Sequence, residues 1–364
     1  MRILIVTSIY PPDIGGPAKF VKEFSKFCKN SGEEVKVFTL SDRKIFGENS
    51  VYSVVRTGPT IVRMIKSILS LVPLIVWADV VLVNGLQVEF SFANFFTKKK
   101  SIAKIVGDPI WERARNKKRT KTDFNEYQNI TRHTFKDKIL LRVWSVVIKS
   151  FECVISPSSD LITMVKTNWG YSKKTRMIRN GVPCVPSVRN VELRNIEVLT
   201  VSRLVNWKQI DKLIVGSAKY GYELTIVGDG PEKEYLSQLS NSLGAHVIFA
   251  GRKSSEEVNQ FLNNSKIFAL ASNYEGMSFA LLEAMAFGLV SIVSSIPGNR
   301  EVIQDGVTGI LVQENEDFGF KINKVLHDKC LMNQISEKSK MEIQSNYCEE
   351  KVFSEYLKEL HAIR

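Results

Sequence analysis

The sequence predicts an α/β protein built from two domains, each a doubly wound parallel sheet. Short β-branched runs alternate with helical patterns, and this alternation pauses once, around residues 180–186. The charge balance changes at the same place: residues 1–180 carry 31 basic and 15 acidic side chains, whereas residues 181–364 carry 19 and 23. A chain of 364 residues is also too long for one compact core. We therefore predict domains at 1–178 and 179–345, followed by a C-terminal segment at 346–364.

The individual strands follow from short runs that are rich in valine and isoleucine. In the first half the predicted strands are Arg2–Thr7, Glu34–Thr39, Val51–Arg56, Asp79–Val83, Ser101–Val106 and Glu152–Ser156. In the second half they are Glu197–Val201, Glu223–Val227, His246–Ala250, Lys266–Ala271 and Val290–Ser294. The intervening helical patterns include Ala18–Lys29 and Lys138–Lys149. Strands that are separated by helices pair in parallel through right-handed crossovers, and ligands bind where the carboxyl ends of such strands meet helix N-termini.

The composition excludes several classes of protein. Hydrophobic residues make up 44% and charged residues 24% of the chain, which is typical of a folded soluble protein. The four histidines show no metal-ligand spacing, and we predict no metal site. The five cysteines are far apart, odd in number and without a C-x-x-C motif, so we expect reduced thiols in a cytoplasmic protein. They are Cys28, Cys153, Cys184, Cys330 and Cys348.

Two apolar segments raise the question of a membrane. The N-terminal run 1–7 ends at two prolines without a cleavage site of small residues, which favours a buried strand over a signal peptide. The segment Ile61–Trp77 is interrupted by Arg63, Lys66 and Pro73 and is shorter than the roughly 20 residues that cross a bilayer. We expect a core helix packed on a sheet there, with an interfacial helix as the alternative.

The positive charge of the first half is concentrated at Lys98–Lys100 and in residues 112–121. Such a surface suits phosphate, an anionic membrane or nucleic acid. For residues 112–121, a solvated loop or helix face is one interpretation. A lid or docking surface for an anionic substrate or membrane is the other.

Three glycine-rich or cationic loops indicate a ligand that contains a diphosphate. Gly15 and Gly16 follow the first strand and precede a helix, where backbone N–H groups can approach a phosphate. Arg203 and Lys208 follow a later strand and can neutralise a diphosphate. The Gly-x-Gly turn that begins at Gly228 lacks the third glycine of the dinucleotide fingerprint, so NAD binding is poorly supported.

A fourth segment carries two carboxylates, Glu275 in a loop and Glu283 eight positions later in a predicted helix. The N-terminus of that helix, near Ser278, offers free N–H groups to a phosphate or a sugar oxygen. Carboxylates at these two places can accept hydrogen bonds from sugar and ribose hydroxyls. Because the neighbours of Glu283 are apolar, its helix is predicted to be buried, and the carboxylate then needs a partner.

In this order and spacing the motifs resemble the retaining nucleotide-sugar glycosyltransferases of family four. The resemblance spans nearly the whole chain and implies the GT-B fold, in which two Rossmann-like domains face a central cleft. The matching residues are Gly15-Gly16, Arg179-Asn180-Gly181-Val182, Arg203 with Lys208, Ile226–Pro231, the Glu275/Glu283 pair and Glu301–Gly309.

The resemblance implies a role for each of these positions. Arg203 and Lys208 would hold the donor diphosphate, Glu275 the transferred sugar and Glu283 the ribose. The C-terminal helix Glu349–Leu360 would cross back to the N-terminal domain. Further donor-binding positions would be Gly15, Gly16, Asn180, Gly228, Gly251, Arg252, Gly276, Met277, Ser278 and Phe279.

The sequence departs from the family pattern at two places. Gln209 stands where the family usually has glycine, which a helix tolerates. Many members also carry a histidine near the donor sugar, where this chain reads Ile105 to Glu112. Asp108 is our candidate for that catalytic place, with His133 as the alternative. Trp111 would form a platform for a sugar or a lipid, and with Glu112 it would bind the acceptor.

The resemblance predicts a retaining enzyme that moves a sugar from a UDP- or GDP-sugar to a hydroxyl of a glycan or polyprenyl-diphosphate-linked glycan, in cell-surface polysaccharide synthesis. No D-x-D motif occurs, so we expect a metal-independent reaction without a cofactor. We expect a cytoplasmic protein at the inner face of the membrane, in contact with anionic lipid and not with nucleic acid. The alternatives are a non-catalytic sugar-nucleotide sensor, a nucleic-acid-binding protein and a GT-B sugar-nucleotide epimerase.

Overall fold

A computed structural model describes residues 1–13, 15–48, 50–116, 119–120, 122, 124–129, 135–185 and 190–364. His133 lies outside the described residues. The chain divides into two compact units. Unit 1 comprises Met1–Lys121, Asn125–Arg179 and Glu350–Arg364, and unit 2 comprises Thr122–Phe124 and Asn180–Glu349.

Within the described residues, unit 1 contains an eight-stranded sheet in the order β3-β4-β2-β1-β5-β6-β7-β8. Neighbouring strands are parallel except for β3, which pairs antiparallel with β4. The chain reverses its direction of strand addition between β1 and β5, which is where an open α/β sheet forms a ligand crevice. The strands are β1 (Arg2–Thr7), β2 (Glu34–Ser41), β3 (Phe46–Glu48), β4 (Val51–Val55), β5 (Val80–Asn84), β6 (Ser101–Lys104), β7 (Cys153–Ser156) and β8 (Lys174–Met177).

The helices that precede residue 180 are α1 (Gly16–Asn30), α2 (Thr60–Trp77), α3 (Gln87–Asn94), α4 (Pro109–Asn116), α5 (Phe124–Asn129), α6 (Phe135–Lys149) and α7 (Ser159–Thr167). The last helix of the chain, α15 (Glu349–Ile363), packs on α1 through an aromatic cluster. Phe353 and Tyr356 meet Phe20 and Phe24 with ring centroids 5.1 to 5.8 Å apart. This buried contact accounts for the inclusion of the C-terminal residues in unit 1.

Helix α2 differs from the predicted core helix. It buries Ser67, Leu71, Leu74 and Ile75, but only 22% of the helix is buried. By length and composition alone it would be sufficient to cross a membrane. Because α2 is the crossover between β4 and β5 of one sheet, it is part of the folded unit. Much of its apolar surface is exposed, so α2 is not the buried core helix that the sequence predicts.

Unit 2 contains a parallel six-stranded sheet, among the described residues, in the order β11-β10-β9-β12-β13-β14. Relative to β9 as the first strand this is the order 3-2-1-4-5-6 of the dinucleotide-binding fold, with its switch point between β9 and β12. The two parallel-sheet units confirm the predicted α/β class. The strands are β9 (Ile196–Val201), β10 (Leu224–Val227), β11 (Val247–Gly251), β12 (Ser265–Leu270), β13 (Val290–Ser294) and β14 (Ile310–Val312).

Helices cover the sheet of unit 2 and bury its β-branched strands. Two of them approach closely because glycines face each other: a Cβ built on Gly216 would lie 2.8 Å from the Cα of Gly319. The helices of this unit are α8 (Ile210–Tyr220), α9 (Lys233–Leu243), α10 (Ser255–Asn264), α11 (Phe279–Ala286), α12 (Pro297–Arg300), α13 (Phe318–Leu326) and α14 (Lys329–Asn346).

The cysteine prediction is wrong for one pair. Cys184 and Cys348 form a disulfide, with their Cα atoms 5.8 Å apart. They meet because Val182 forms an isolated parallel bridge with Cys348 and donates from its N–H to the carbonyl of Tyr347 at 2.9 Å. A separation of 164 residues along the chain hides this contact from the sequence. Among the described residues Cys28, Cys153 and Cys330 are free.

Candidate functional site

Loops converge at the carboxyl edge of the unit 2 sheet, on both sides of the switch point. The loop after β9 is bonded to the loop after β10, since Leu204 N–H donates to the carbonyl of Asp229 at 3.0 Å. It is also bonded to the loop after β12, since Asn273 N–H donates to the carbonyl of Trp207 at 2.9 Å. Three loops that are distant in sequence thus form one backbone-bonded surface.

Glycines allow these loops to touch. A Cβ on Gly228, whose φ is +144°, would lie 1.9 Å from the carbonyl oxygen of Ser202. A Cβ on Gly230 would lie 2.3 Å from the carbonyl oxygen of Leu204. Contacts this short are impossible for a side chain, so the Gly-x-Gly turn predicted to bind the donor is required first for loop-on-loop packing.

A charged pair lies on this surface. The Lys208 ammonium forms a short ion pair with Oε1 of Glu275, and the hydroxyl of Ser272 donates to the same oxygen at 2.7 Å. The two charged side chains are 17% and 10% exposed, so solvent screens the pair only weakly. The structure therefore brings together Lys208, which is predicted to bind the diphosphate, and Glu275, which is predicted to bind the sugar. An anionic phosphate would compete with Glu275 for the same ammonium group.

The N-terminus of α11 is anchored to the domain junction. Ser278 is the N-cap, and its hydroxyl accepts from the N–H of Leu281 at 3.3 Å. The buried Asn180 donates from Nδ2 to the carbonyl of Met277 at 3.0 Å. Glu283 lies partly buried within α11, five residues after the cap. Asn180 thus positions the segment 276–279 that the resemblance assigns to the donor.

Two buried polar atoms in the joined loops have no hydrogen-bond partner among the described residues. They are the hydroxyl of Ser202, which follows β9, and Oδ1 of Asn273, which follows β12. Buried polar groups in folded proteins are almost always bonded, and exceptions require an explanation such as a ligand or an ordered water. Both atoms belong to the loops that the hydrogen bonds above join. The chemistry of this edge therefore suits a polar ligand.

The remaining predicted donor residues lie around this core. Arg203 is exposed two residues after the end of β9, and Gly251 ends β11 with a φ of +72°. The N–H of Gly228 donates to the carbonyl of Gly251 at 2.9 Å, which attaches this loop as well. Arg252 is exposed beside it. Phe279 begins α11.

Unit 1 carries its own cavity, of about 360 Å³, at the carboxyl ends of β1, β5 and β6. Gly85 permits it: a Cβ there would lie 2.8 Å from the N–H nitrogen of Ser8, so the loops after β1 and β5 pack closely. The amide Nδ2 of the buried Asn84 has no partner among the described residues. The lining comprises Ser8, Pro17, Asn84, Gly85, Leu86, Gln87, Val88, Glu89, Lys104, Ile105, Val106, Gly107, Pro109, Glu112 and Trp144.

The structure places the predicted site residues of the N-terminal domain in different environments. Glu112 lines the cavity, and Gly15 and Gly16 lie where α1 begins beside it, next to Pro17. Trp111 is fully buried, which corrects the expectation that it forms an exposed platform for a sugar or a lipid. Its ring faces inward on α4 because that helix packs its apolar side on the unit.

Asp108 is also buried, and its carboxylate has local partners. Oδ1 accepts from the N–H of Ile110 at 2.8 Å, and Oδ2 accepts from Nε2 of Gln128 at 2.7 Å. An aspartate directly before a helix commonly satisfies the first free N–H groups in this way. The contacts of Asp108 thus support α4, and the catalytic role assigned to it stays a prediction.

Several positions at the two edges were missed from the sequence. A Cβ on Gly298 would lie 2.2 Å from the carbonyl oxygen of Glu275, so this glycine shapes the charged loop. Ser272 orients the carboxylate of Glu275, and Asn84 supplies an amide to the unit 1 cavity. The available signal was their position, since each follows a predicted strand of a parallel sheet.

Sequence matches and structural matches to known proteins both support the resemblance. A family model described as glycosyl transferases group 1 matches residues 187–342. The chain is 25% identical over 220 residues to the lipopolysaccharide core biosynthesis glycosyltransferase LpsE of Rhizobium meliloti, covering 57% of this chain and 64% of that protein. It is 32% identical over 201 residues to the O-antigen biosynthesis glycosyltransferase WbnH of Escherichia coli, covering 50% and 56%. The chain thus spans between about half and two thirds of the length of these relatives.

Solved structures match the fold over the whole chain. The Anabaena HepE protein in complex with UDP-glucose has a TM-score of 0.77 at 18% identity, with 100% of both chains covered. Sucrose-phosphate synthase from Thermosynechococcus elongatus has a TM-score of 0.78 at 17% identity, again with 100% of both chains covered. The match to the family model over residues 187–342 and the match of the fold over the whole chain confirm the resemblance to GT-B glycosyltransferases.

Proposed function

We propose that this protein transfers a sugar from a nucleoside diphosphate sugar to a hydroxyl of a glycan or lipid-linked glycan, with retention of configuration. The observation that carries the proposal is the Lys208–Glu275 pair on the joined loops of unit 2. One cation suited to a diphosphate and one carboxylate suited to sugar hydroxyls stand side by side. Related proteins are named for lipopolysaccharide core and O-antigen synthesis, which supports a role in cell-surface polysaccharide synthesis.

The donor would bind along the carboxyl edge of the unit 2 sheet. The ammonium of Lys208 and the guanidinium of Arg203 would bind its diphosphate, and Glu283 would accept hydrogen bonds from its ribose. Glu275, released from its ion pair, would then accept hydrogen bonds from the transferred sugar. We favour a UDP-sugar as the donor because HepE was solved with UDP-glucose, and a GDP-sugar is the alternative.

In the proposed reaction the bond from the anomeric carbon to the diphosphate oxygen breaks, and a bond to the acceptor oxygen forms on the same face. The acceptor proton passes to the departing diphosphate oxygen, so no protein nucleophile is required. Lys208 and Arg203 stabilise the negative charge that develops on the leaving group. This chemistry requires no metal or further cofactor, and we propose that it takes place in the cytoplasm, at the inner face of the membrane.

The cavity of unit 1 is our candidate for acceptor binding. Its polar lining, including Asn84, Gln87 and Glu112, offers donors and acceptors for sugar hydroxyls, and its apolar wall includes Trp144. Apolar walls with a few placed polar groups are typical of small-molecule sites. We propose that the glycan part of a polyprenyl-diphosphate-linked acceptor binds there.

The test begins with a thermal-shift panel of UDP-, GDP- and ADP-sugars. A donor at about 100 times its Kd adds about 2.7 kcal/mol, which raises the Tm of a unit this size by roughly 5 to 10 °C. Transfer assays should then show losses of about 100-fold or more for Lys208→Ala, and a lower apparent affinity for Glu283→Ala. The matched controls are Lys329→Ala and Glu314→Ala, exposed positions on the same unit.

Particular outcomes would reject parts of this proposal. Wild-type transfer rates in both Lys208→Ala and Glu283→Ala would reject the donor site. Turnover of the sugar nucleotide without any acceptor would indicate an epimerase. An anomeric inversion, observed by NMR of the product, would reject retention, and loss of activity in EDTA would reject metal independence.

A further inference from the structure

The helical layer of unit 1 exposes an unusual amount of apolar surface. Helix α3 packs against both α2 and α6, so the three helices lie side by side. This layer and the loop after α3 hold thirteen of the twenty-three exposed large hydrophobic side chains in the described part of the chain. They are Ile61, Val62, Ile65, Leu69, Val72, Val76, Phe92, Phe95, Phe96, Phe135, Ile139, Val143 and Val146.

The exposed positions on α2 form one continuous stripe. Ile61, Ile65, Leu69, Val72 and Val76 recur at intervals of three and four residues, which places them on the same side of a helix. The opposite side of α2 packs on the unit. A stripe of this length on the solvent side is unusual for a helix of a soluble domain, where that side is normally polar.

The loop after α3 adds aromatic side chains at the edge of this stripe. Phe95 is 70% exposed and Phe96 is 88% exposed, with their rings in edge contact 5.0 Å apart. Lys98, Lys99 and Lys100 begin two residues after Phe96. Exposed aromatic rings beside a cluster of lysines suit the boundary between lipid headgroups and acyl chains.

The charge of the layer is one-sided. Helix α2 carries Arg63 and Lys66 and no acidic residue, and α6 exposes Lys138 and Arg142. The acidic residue of α6, Asp137, is buried in an ion pair with Arg119. In α3 one carboxylate, that of Glu89, lies in the wall of the cavity. A surface with this charge repels a second copy of itself and attracts an anionic partner.

We infer that this layer, called here the lipid face and formed by α2, α3, α6 and residues 95–100, docks on an anionic lipid bilayer. The apolar stripe and the two phenylalanines enter the headgroup boundary, and the lysines meet lipid phosphates. The helices lie on the bilayer without crossing it, because α2 joins two strands of one sheet. The inference is independent of the proposed donor chemistry, since none of these side chains belongs to the unit 2 edge.

Flotation of the full chain with vesicles tests this inference. Vesicles of phosphatidylcholine with 30% phosphatidylglycerol should recover the protein, and pure phosphatidylcholine should recover far less. Replacing Lys98, Lys99 and Lys100 with alanine should weaken partition by roughly fivefold per lysine, and salt should have the same effect. The double variant Phe95→Ser with Phe96→Ser should weaken it by about tenfold or more. Phe320→Ser, an exposed aromatic of unit 2, is the matched control.

Three results would overturn the inference. One is equal recovery on neutral and anionic vesicles. Another is unchanged partition in the Phe95→Ser, Phe96→Ser variant, provided that its thermal midpoint matches the wild type. The third is a lipid-independent dimer, seen by light scattering, that the same variant dissolves, because the occupant would then be a second copy. The donor thermal shift, measured on every variant, separates failure of this inference from failure of the proposed function.

Discussion

Gly228 offers the sharpest test of how the unit 2 edge is built. A Cβ at this position would lie 1.9 Å from the carbonyl oxygen of Ser202, whereas such atoms normally stay more than 3 Å apart. The loop after β9 would have to move by more than 1 Å, which also shifts the segment that carries Lys208. Overpacking costs about 1 to 3 kcal/mol, and the φ of +144° adds strain of the order of 1 to 3 kcal/mol. We expect Gly228→Ala to lose about 2 to 6 kcal/mol of unfolding free energy.

A matched control separates the clash from the backbone strain. Gly244 has a φ of +62° and caps α9, and a Cβ added there would meet no atom within 4 Å, so Gly244→Ala should cost about 1 to 2 kcal/mol. Urea unfolding gives both values, and the thermal shift with UDP-sugar reports the site. We expect Gly228→Ala to lose the shift and Gly244→Ala to keep it. Equal destabilisation of the two variants, with donor binding intact in both, would refute the close loop packing.

Three further outcomes follow from the titrating groups. Burial holds the pKa of Lys104 well below its usual range, so the unfolded state binds more protons than the folded state. The free energy of unfolding should therefore rise with pH towards about 10.4, the usual pKa of lysine. Lys104→Met should remove this rise, as measured by the urea midpoint at several pH values. Hydrogen bonds from Arg2 lower the pKa of Asp79 to about 2, so Asp79→Asn should reduce the Tm at pH 7. That difference should disappear as the pH falls through 2. Iodoacetamide at pH 8 should label Cys330 before Cys28, because burial raises the pKa of Cys28 to about 12; mass spectrometry of the digest identifies the site.

The central strands could be predicted from the sequence because their signal is local. The observed bounds of β1 (Arg2–Thr7) and β13 (Val290–Ser294) equal the predicted ones, since both strands are buried apolar runs between turns. Strand β8 (Lys174–Met177) was missed because it lies at the edge of its sheet and has mostly exposed, polar side chains. The strands β3 and β14 have only three residues each, too few for a period to be visible.

What the sequence did not show depends on tertiary contacts. The segment of Trp111 reads as polar and basic, and only the packing of α4 shows that the indole is buried. The pairing of Lys208 with Glu275 joins residues 67 positions apart, and that of Cys184 with Cys348 joins residues 164 apart. Motif spacing selected the two charged residues for the site. Only the order of the strands, which places β9 beside β12, explains why they meet.

The location of the positive charge in unit 1 distinguishes acceptor binding from membrane binding, which the composition alone does not. The first 180 residues have a basic excess, yet the cavity of unit 1 is lined by Glu89 and Glu112 and, among its described lining residues, by one cation, Lys104, whose pKa is depressed. A cavity of that character does not account for sixteen extra positive charges. The exposed lysines and arginines of the lipid face lie instead among apolar side chains, where anionic lipid can neutralise them. Charge removed from this face should therefore weaken membrane binding and leave transfer to a soluble acceptor unchanged.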